Sequence, residues 1–155
     1  MEGVAVTASS SAAHISETNA PPVAIPDSLL LHRAAAQVSS RVARTLRGEG
    51  FTVEQWRVLD CLVRYGDTPM SEIASVVLLP APTLTRLVDK LVSLALVYRA
   101  TDLADRRRVL VQVSGRGRAL HDRLVPLVLQ AEAEALEILT PEETGDLHNL
   151  LSRFA

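Results

Sequence analysis

Leu31, Ala34, Ala35, Val38, Val42 and Leu46 recur at steps of three and four, the spacing that puts apolar side chains on one face of an α-helix. Gly48 and Gly50 stop that run, because glycine readily adopts the left-handed turn that closes a helix. Thr52 and Gln55 have the spacing of a capping box. Behind them Val53, Trp56, Leu59 and Val63 carry a second apolar face that should end near Gly66. Ser71 is the expected N-cap of a short third helix through Ile73, Ala74 and Val77. Pro80 and Pro82 then bracket a tight turn. In the run that follows, Leu84, Leu87, Val88, Leu91 and Leu94 fall on one side of a helix. Thr83, Arg86, Lys90 and Ser93 fall on another, with Thr85 and Asp89 beside them.

After Ala95 the period changes to two. Residues 97–100 and 109–113 are short β-branched stretches separated by the polar segment 101–108, which reads as a hairpin. Ser114 begins a long helix with Leu120, Leu124, Leu127, Val128, Ala131, Ala135 and Leu139 on its apolar side, and Val125 and Leu129 widen that side. Such width on a terminal helix points to a partner chain, and Leu31, Leu120, Leu124, Leu127 and Val128 are the expected interface. Pro126 removes one backbone donor inside this helix and predicts a kink. Thr140, Pro141 and Glu143 form the start of a last helix. Residues 1–27 show no sustained period and contain Pro21, Pro22 and Pro26, so they read as a flexible extension or, alternatively, as an arm lying across a partner. The expected organisation is therefore an extension over 1–27 and one domain over 28–155. Within that domain 51–114 would be a central module, flanked by dimerisation helices at 28–50 and 115–155.

Composition narrows the class. Nearly half of the 155 residues are apolar but only 3% are aromatic, so the core must be Leu, Val and Ala, which suits helix on helix. The formal net charge is −2, yet it is unevenly spread. Arg86, Lys90, Arg99, Arg106, Arg107 and Arg108 outnumber Asp89, Asp102 and Asp105 in the hairpin and the helix before it. Beyond residue 130, Glu132, Glu134, Glu137, Glu142, Glu143 and Asp146 face Arg153 alone. A polyanion would be drawn to the first region and repelled by the second. Cys61 is the single cysteine, so no intrachain disulfide forms. No basic start with an apolar run precedes the helices and no stretch is long and apolar enough for a span, so the expected location is cytoplasmic, with no membrane role. His14, His32, His121 and His148 are scattered without ligand spacing, so no metal or other cofactor is expected. No nucleophile has a base at recognisable spacing and there is no glycine-rich phosphate loop, which argues against an enzyme.

Two short helices, the second with hydroxyls and cations outward, followed by a basic-tipped hairpin, describe a winged helix-turn-helix. The fold class is mainly α, with a two-stranded wing and N- and C-terminal dimerisation helices. The segment Asp105-Arg106-Arg107-Arg108-Val109-Leu110-Val111-Gln112-Val113-Ser114-Gly115-Arg116-Gly117 resembles the wing signature of the MarR family of transcription regulators. Thr83-Leu84-Thr85-Arg86-Leu87-Val88-Asp89-Lys90-Leu91 is similar to that family's recognition helix, and Thr52-Val53-Glu54-Gln55-Trp56-Arg57-Val58-Leu59 to its second helix. Pro82 departs from the pattern, which commonly has a small hydroxyl residue there.

The resemblance implies that Arg107 enters the minor groove of double-stranded DNA while Asp105 supports the wing through an ion pair. It also implies that Thr83, Thr85, Arg86 and Lys90 face the major groove, and that Arg106 and Arg108 join the basic tip. It further implies a homodimer on a pseudo-palindromic operator with half-sites about 10 base pairs apart, and a cleft in which His32, Trp56, Arg57 and Asp60 are candidates for a small, phenolic effector that releases a repressor. Bland readings stand beside these. Three adjacent arginines also make an ordinary solvated turn, with Arg108 turned back to Asp102 or Asp105. Thr83 and Thr85 can serve backbone groups, and Lys90 can be a plain surface cation. Trp56 can be a core anchor, and Cys61 either an oxidant sensor or a buried small residue. The alternative function is a winged-helix scaffold that binds protein without touching DNA.

Overall fold

The computed structural model describes residues 24–102, 105 and 108–154; the expectations for residues 1–23 and for Arg106 and Arg107 lie outside them. The order of elements is α1 (Asp27–Gly48), α2 (Val53–Tyr65), β1 (Thr68–Pro69), α3 (Met70–Val77), α4 (Ala81–Ser93), β2 (Val97–Thr101), β3 (Val109–Val113), α5 (Gly115–Ala135) and α6 (Pro141–Leu151), with a final 3-10 turn at Ser152–Phe154. The Thr52 and Thr140 capping boxes form as their spacing predicts, and Gly66 ends α2 with a φ of 77° that side chains disfavour. No single helix among the described residues is long and apolar enough to cross a membrane.

Helix α3 begins one residue before the expected Ser71 cap, at Met70, with Pro69 in the cap position and no side-chain bond there. The cause is the short strand β1, absent from the sequence reading. Thr68 and Pro69 pair with Val111 and Leu110, giving a three-stranded antiparallel sheet in the order β1-β3-β2. Two residues are too few to show a period, and Pro69, which has no N–H to give, closes the strand at once. Helix α5 remains helical on both sides of Pro126.

The core is one cluster. Leu46 of α1, Leu59 and Leu62 of α2, Ile73 of α3, Leu84 and Leu91 of α4, Val111 of β3 and Leu124 of α5 are completely buried in it. This corrects the interface expected from the sequence. Leu124 and Val128 are 0% and 4% exposed within one subunit, and Leu120 and Leu127 pack against the same core, because α5 lies along α1 and α2 of its own chain. Their apolar width serves the subunit. Leu31, in contrast, is half exposed, as are Leu29 and Leu30, and α6 buries no residue at all.

The first turn of α5 is seated on the α4–β2 turn. The Ser114 backbone N–H donates to the Leu96 carbonyl at 2.9 Å, and the Ser114 hydroxyl donates to Ala95 O at 2.8 Å and accepts the Gly117 N–H. A Cβ on Gly117 would come within 2.1 Å of the Leu96 carbonyl oxygen. Gly117→Ala is therefore expected to destabilise the chain by about 2–3 kcal/mol, as overpacking against backbone does. Gly145→Ala, in a helix with open space around that position, should add roughly 0.5–1 kcal/mol. Chemical denaturation of the two variants checks both signs.

Candidate nucleic-acid interface

Helix α4 crosses α3 at 107°, an angle typical of a helix-turn-helix. Pro80 sits at its cap and Pro82 in its first turn, where a missing N–H does no harm. Leu84, Val88 and Leu91 hold the inner face in the core, so Thr83, Thr85, Arg86, Asp89, Lys90 and Ser93 all stand exposed on the outside. The Thr85 hydroxyl donates to Ala81 O at 2.9 Å, and that of Ser93 to Lys90 O at 2.7 Å, which leaves each oxygen able to accept. Thr85 thus serves the backbone, one of the two roles left open for it.

Strands β2 and β3 pair from Val97 with Val113 to Thr101 with Val109. Their loop is closed by the Asp102 N–H on Arg108 O at 3.0 Å and the Arg108 N–H on Asp105 O at 2.9 Å. Arg99 of β2 reaches Asp89 of α4 at 2.8 Å, which draws the wing and the outer face of α4 to the same side of the molecule. The Arg108 side chain turns back to Glu72 of α3, at 3.0 Å. Glu72 and Asp89 were not singled out as partners in the sequence, because each bond joins separate elements.

The cleft candidates divide. Trp56, Arg57 and Asp60 line one cavity of about 220 Å³ together with Val38, Ser39, Val42, Val53 and Glu132. His32 is exposed on the first half of α1 and does not line that cavity. The histidine that does belong nearby is His121, 7% exposed, whose ring stacks parallel on Trp56 with centroids 4.9 Å apart. Its Nε2 lies 2.9 Å from Asp60 Oδ1, and the other oxygen of Asp60 accepts from Arg64 at 2.7 Å. No sequence spacing links residues 60 and 121, although His121 lies three residues before Leu124 and seven before Val128 on the apolar side of α5 and so could have been placed inside. Arg57 donates to the Ser39 hydroxyl at 3.1 Å. Burial, then the neighbouring Asp60 charge, pushes the Cys61 thiol up; a buried, protonated thiol fits the core reading of this residue. No group of three or more His, Cys, Asp or Glu among the described residues could hold a metal ion.

Residues 51–109 match the sequence model of the MarR family. The HTH-type transcriptional regulator MhqR of Bacillus subtilis is 26% identical over 125 residues, covering 81% of this chain and 86% of its own. A cysteine-to-serine mutant of E. coli MarR, solved in complex with operator DNA, superposes with a TM-score of 0.74 at 27% identity over 84% of this chain and 94% of its own. Bordetella bronchiseptica BpsR, whose DNA binding is regulated by 6-hydroxynicotinic acid, gives a TM-score of 0.74 at 26% identity over 83% and 97%. These relatives are regulators, and none is named as an enzyme.

Glu132 carries a testable cost in the cleft wall. Burial first, then repulsion by Asp60, raises its pKa above the ordinary glutamate value. A carboxyl with a raised folded pKa binds its proton more tightly when folded, so its ionised form burdens the fold at neutral pH and the burden is lifted as pH falls through that folded pKa. Glu132→Gln should therefore be more stable than the parent chain at pH 7, with the advantage shrinking on acidification; thermal melts across pH check the sign.

Proposed function

We propose that the chain is a MarR-type winged helix-turn-helix regulator, in line with the family match over residues 51–109, and that it binds an operator in double-stranded DNA as a homodimer and represses transcription until a small ligand releases it. The observation that carries this reading is the outer face of α4, where Thr83, Thr85, Arg86 and Lys90 are all exposed beside a wing tied to the same helix by Arg99 and Asp89. A helix of this kind fits the major groove, where Arg and short hydroxyl side chains can reach base edges. The wing's Arg106 and Arg107 would follow the backbone, with Arg107 in the adjacent minor groove and Asp105 supporting the turn, and Lys90 and Arg108 would meet phosphates.

Two copies supply the symmetry. Leu29, Leu30 and Leu31 on α1 and Leu150, Leu151 and Phe154 at the end of the chain are exposed in a single subunit, and clustered apolar side chains of this kind favour association. The proposed organisation keeps 51–114 as the DNA module and 28–50 with 115–155 as the pairing helices, 1–27 being an extension. The pairing surface is Leu31 and its exposed neighbours, with Leu120 and Leu127 at most at its edge. Paired reading helices would fit half-sites about one helical turn, or roughly 10 base pairs, apart.

The cleft beside Trp56, Arg57 and Asp60 is the proposed effector site. Its Glu132 carboxylate suits a hydrogen-bond donor such as a phenolic hydroxyl, and the Trp56 side suits a ring. The regulation of BpsR by a hydroxylated aromatic acid supports a ligand of that size.

Selection of duplexes from a random pool, followed by binding titrations at several salt concentrations, tests the whole reading. A two-fold symmetric site with steep salt dependence is expected; no binding at low salt would leave the protein scaffold as the better account. Arg86→Ala and Arg107→Ala should each weaken operator binding by at least ~1 kcal/mol without changing the oligomeric state. For the pairing surface, Leu31→Asp combined with Leu150→Asp should give a folded monomer by light scattering, whereas Leu124→Asp should unfold the subunit, because there the charge would be buried in the core.

A further inference from the structure

The wing has two arginines held by acids of the helix-turn-helix: Arg99 of β2 by Asp89, and Arg108, just before β3, by Glu72. The second pair is the more exchangeable. Both its side chains are open to solvent, 49% exposed for Arg108 and 61% for Glu72, and ion pairs that exposed add little to folding. The turn does not need it either. The Arg108 backbone is already fixed at both its N–H, on Asp105 O, and its carbonyl, which accepts from Asp102, and the strand pairing of Val109 with Thr101 begins one residue on. The side chain can therefore change partner while the wing keeps its shape.

Resting on the DNA-binding reading, we propose that Glu72 is an internal competitor for DNA phosphate, occupying Arg108 and so holding down the affinity of the chain for every duplex. A carboxylate and a phosphate offer the guanidinium the same kind of paired, charged acceptor. When phosphate takes Arg108, the Glu72 charge is left uncompensated near a polyanion, so loss of the pair and repulsion act in the same direction. The effect is blind to base sequence, because it works only through the backbone. Its use is restraint: a regulator with one fewer effective cation is less readily held on bulk DNA.

The experiment compares the full chain, Glu72→Gln, Arg108→Ala and the double variant for binding to a duplex of random sequence and to one selected from a pool, across a range of salt. Glu72→Gln is expected to bind both duplexes about five- to tenfold tighter at roughly 0.1 M salt, with the log–log salt slope steeper by about 0.9, the signature of one additional phosphate neutralised. The ratio of selected to random affinity should stay constant. In the Arg108→Ala background the same Glu72 change should have no effect. Unchanged or weaker binding by Glu72→Gln with the slope unaltered would overturn the proposal, as would an equal gain in the absence of Arg108. Matched circular dichroism melts show that the variants are folded. If the parent chain binds neither duplex at the lowest salt, the DNA reading itself fails, a result visible in the parent alone, and this inference falls with it.

Discussion

The Leu96 carbonyl accepts the Ser114 N–H at 2.9 Å, and Gly117 lies so close to the same oxygen that even a methyl group would not fit between them. This contact ties the turn that ends α4 to the first turn of the long helix α5. Both sides of it are backbone, so it has no rotamers to adjust. Ala95 in the same turn adopts a φ of 56°, an uncommon setting for a residue with a side chain, and its carbonyl takes the Ser114 hydroxyl at 2.8 Å. The direction of α4 relative to α5 is thus set by a stiff joint. Any pairing of subunits through the terminal helices would carry that direction into the spacing of two reading helices.

Around that joint, apolar and polar contacts divide the labour. Leu84, Val88 and Leu91 seat α4 in the core, and Val97 and Val111 seat the sheet. Among the described residues, strand pairing, the backbone bonds of Arg108 and the exposed pairs Arg99 with Asp89 and Arg108 with Glu72 hold the wing's outer end. Burial of apolar area is the larger contribution and is insensitive to salt, whereas the exposed pairs are weak and screened. The scaffold is therefore rigid where it must keep geometry, and electrically adjustable where it would meet a polyanion.

Much of this was legible in the order of residues, for reasons that differ by element. Helices α1, α2 and α4 carry clear three-and-four periods, and α2 and α6 begin with the Thr52 and Thr140 capping boxes, which are local signals, while the Val97 to Val113 hairpin carries a period of two. Strand β1 was not legible because Thr68 and Pro69 acquire their identity only by pairing with β3, some 40 residues away. Two positions of the expected interface, both on α5, were misread for a related reason. A broad apolar side says that a helix is covered, but not by which chain, and here α1 and α2 of the same subunit cover Leu124 and Val128. On the candidate site, the exposure of Thr83, Arg86 and Lys90 followed from helix periodicity. The partners Glu72 and His121 did not, because they are brought in by tertiary packing across 36 and 61 residues.

The cleft beside Trp56 touches three elements at once: Val38 and Val42 on α1, Val53 and Trp56 on α2, and Glu132 on α5. Trp56 and Asp60 also grip His121 of α5, through a parallel stack and a 2.9 Å bond. Helix α5 is thereby held a second time, to α2, about two helical turns along from the Leu96 joint at its start. A ligand can change the spacing of paired reading helices only by binding one arrangement better than another. A molecule bound only to α2 would travel with it and favour neither. One that spans α2 and the Glu132 wall senses the angle between them, because its contacts on both sides are best at one separation. With the Leu96 joint stiff at one end of α5, a small opening at the Glu132 end becomes a rotation of α5 about that joint. A small ligand in the proposed site would draw its leverage from the placement of the cleft away from the joint.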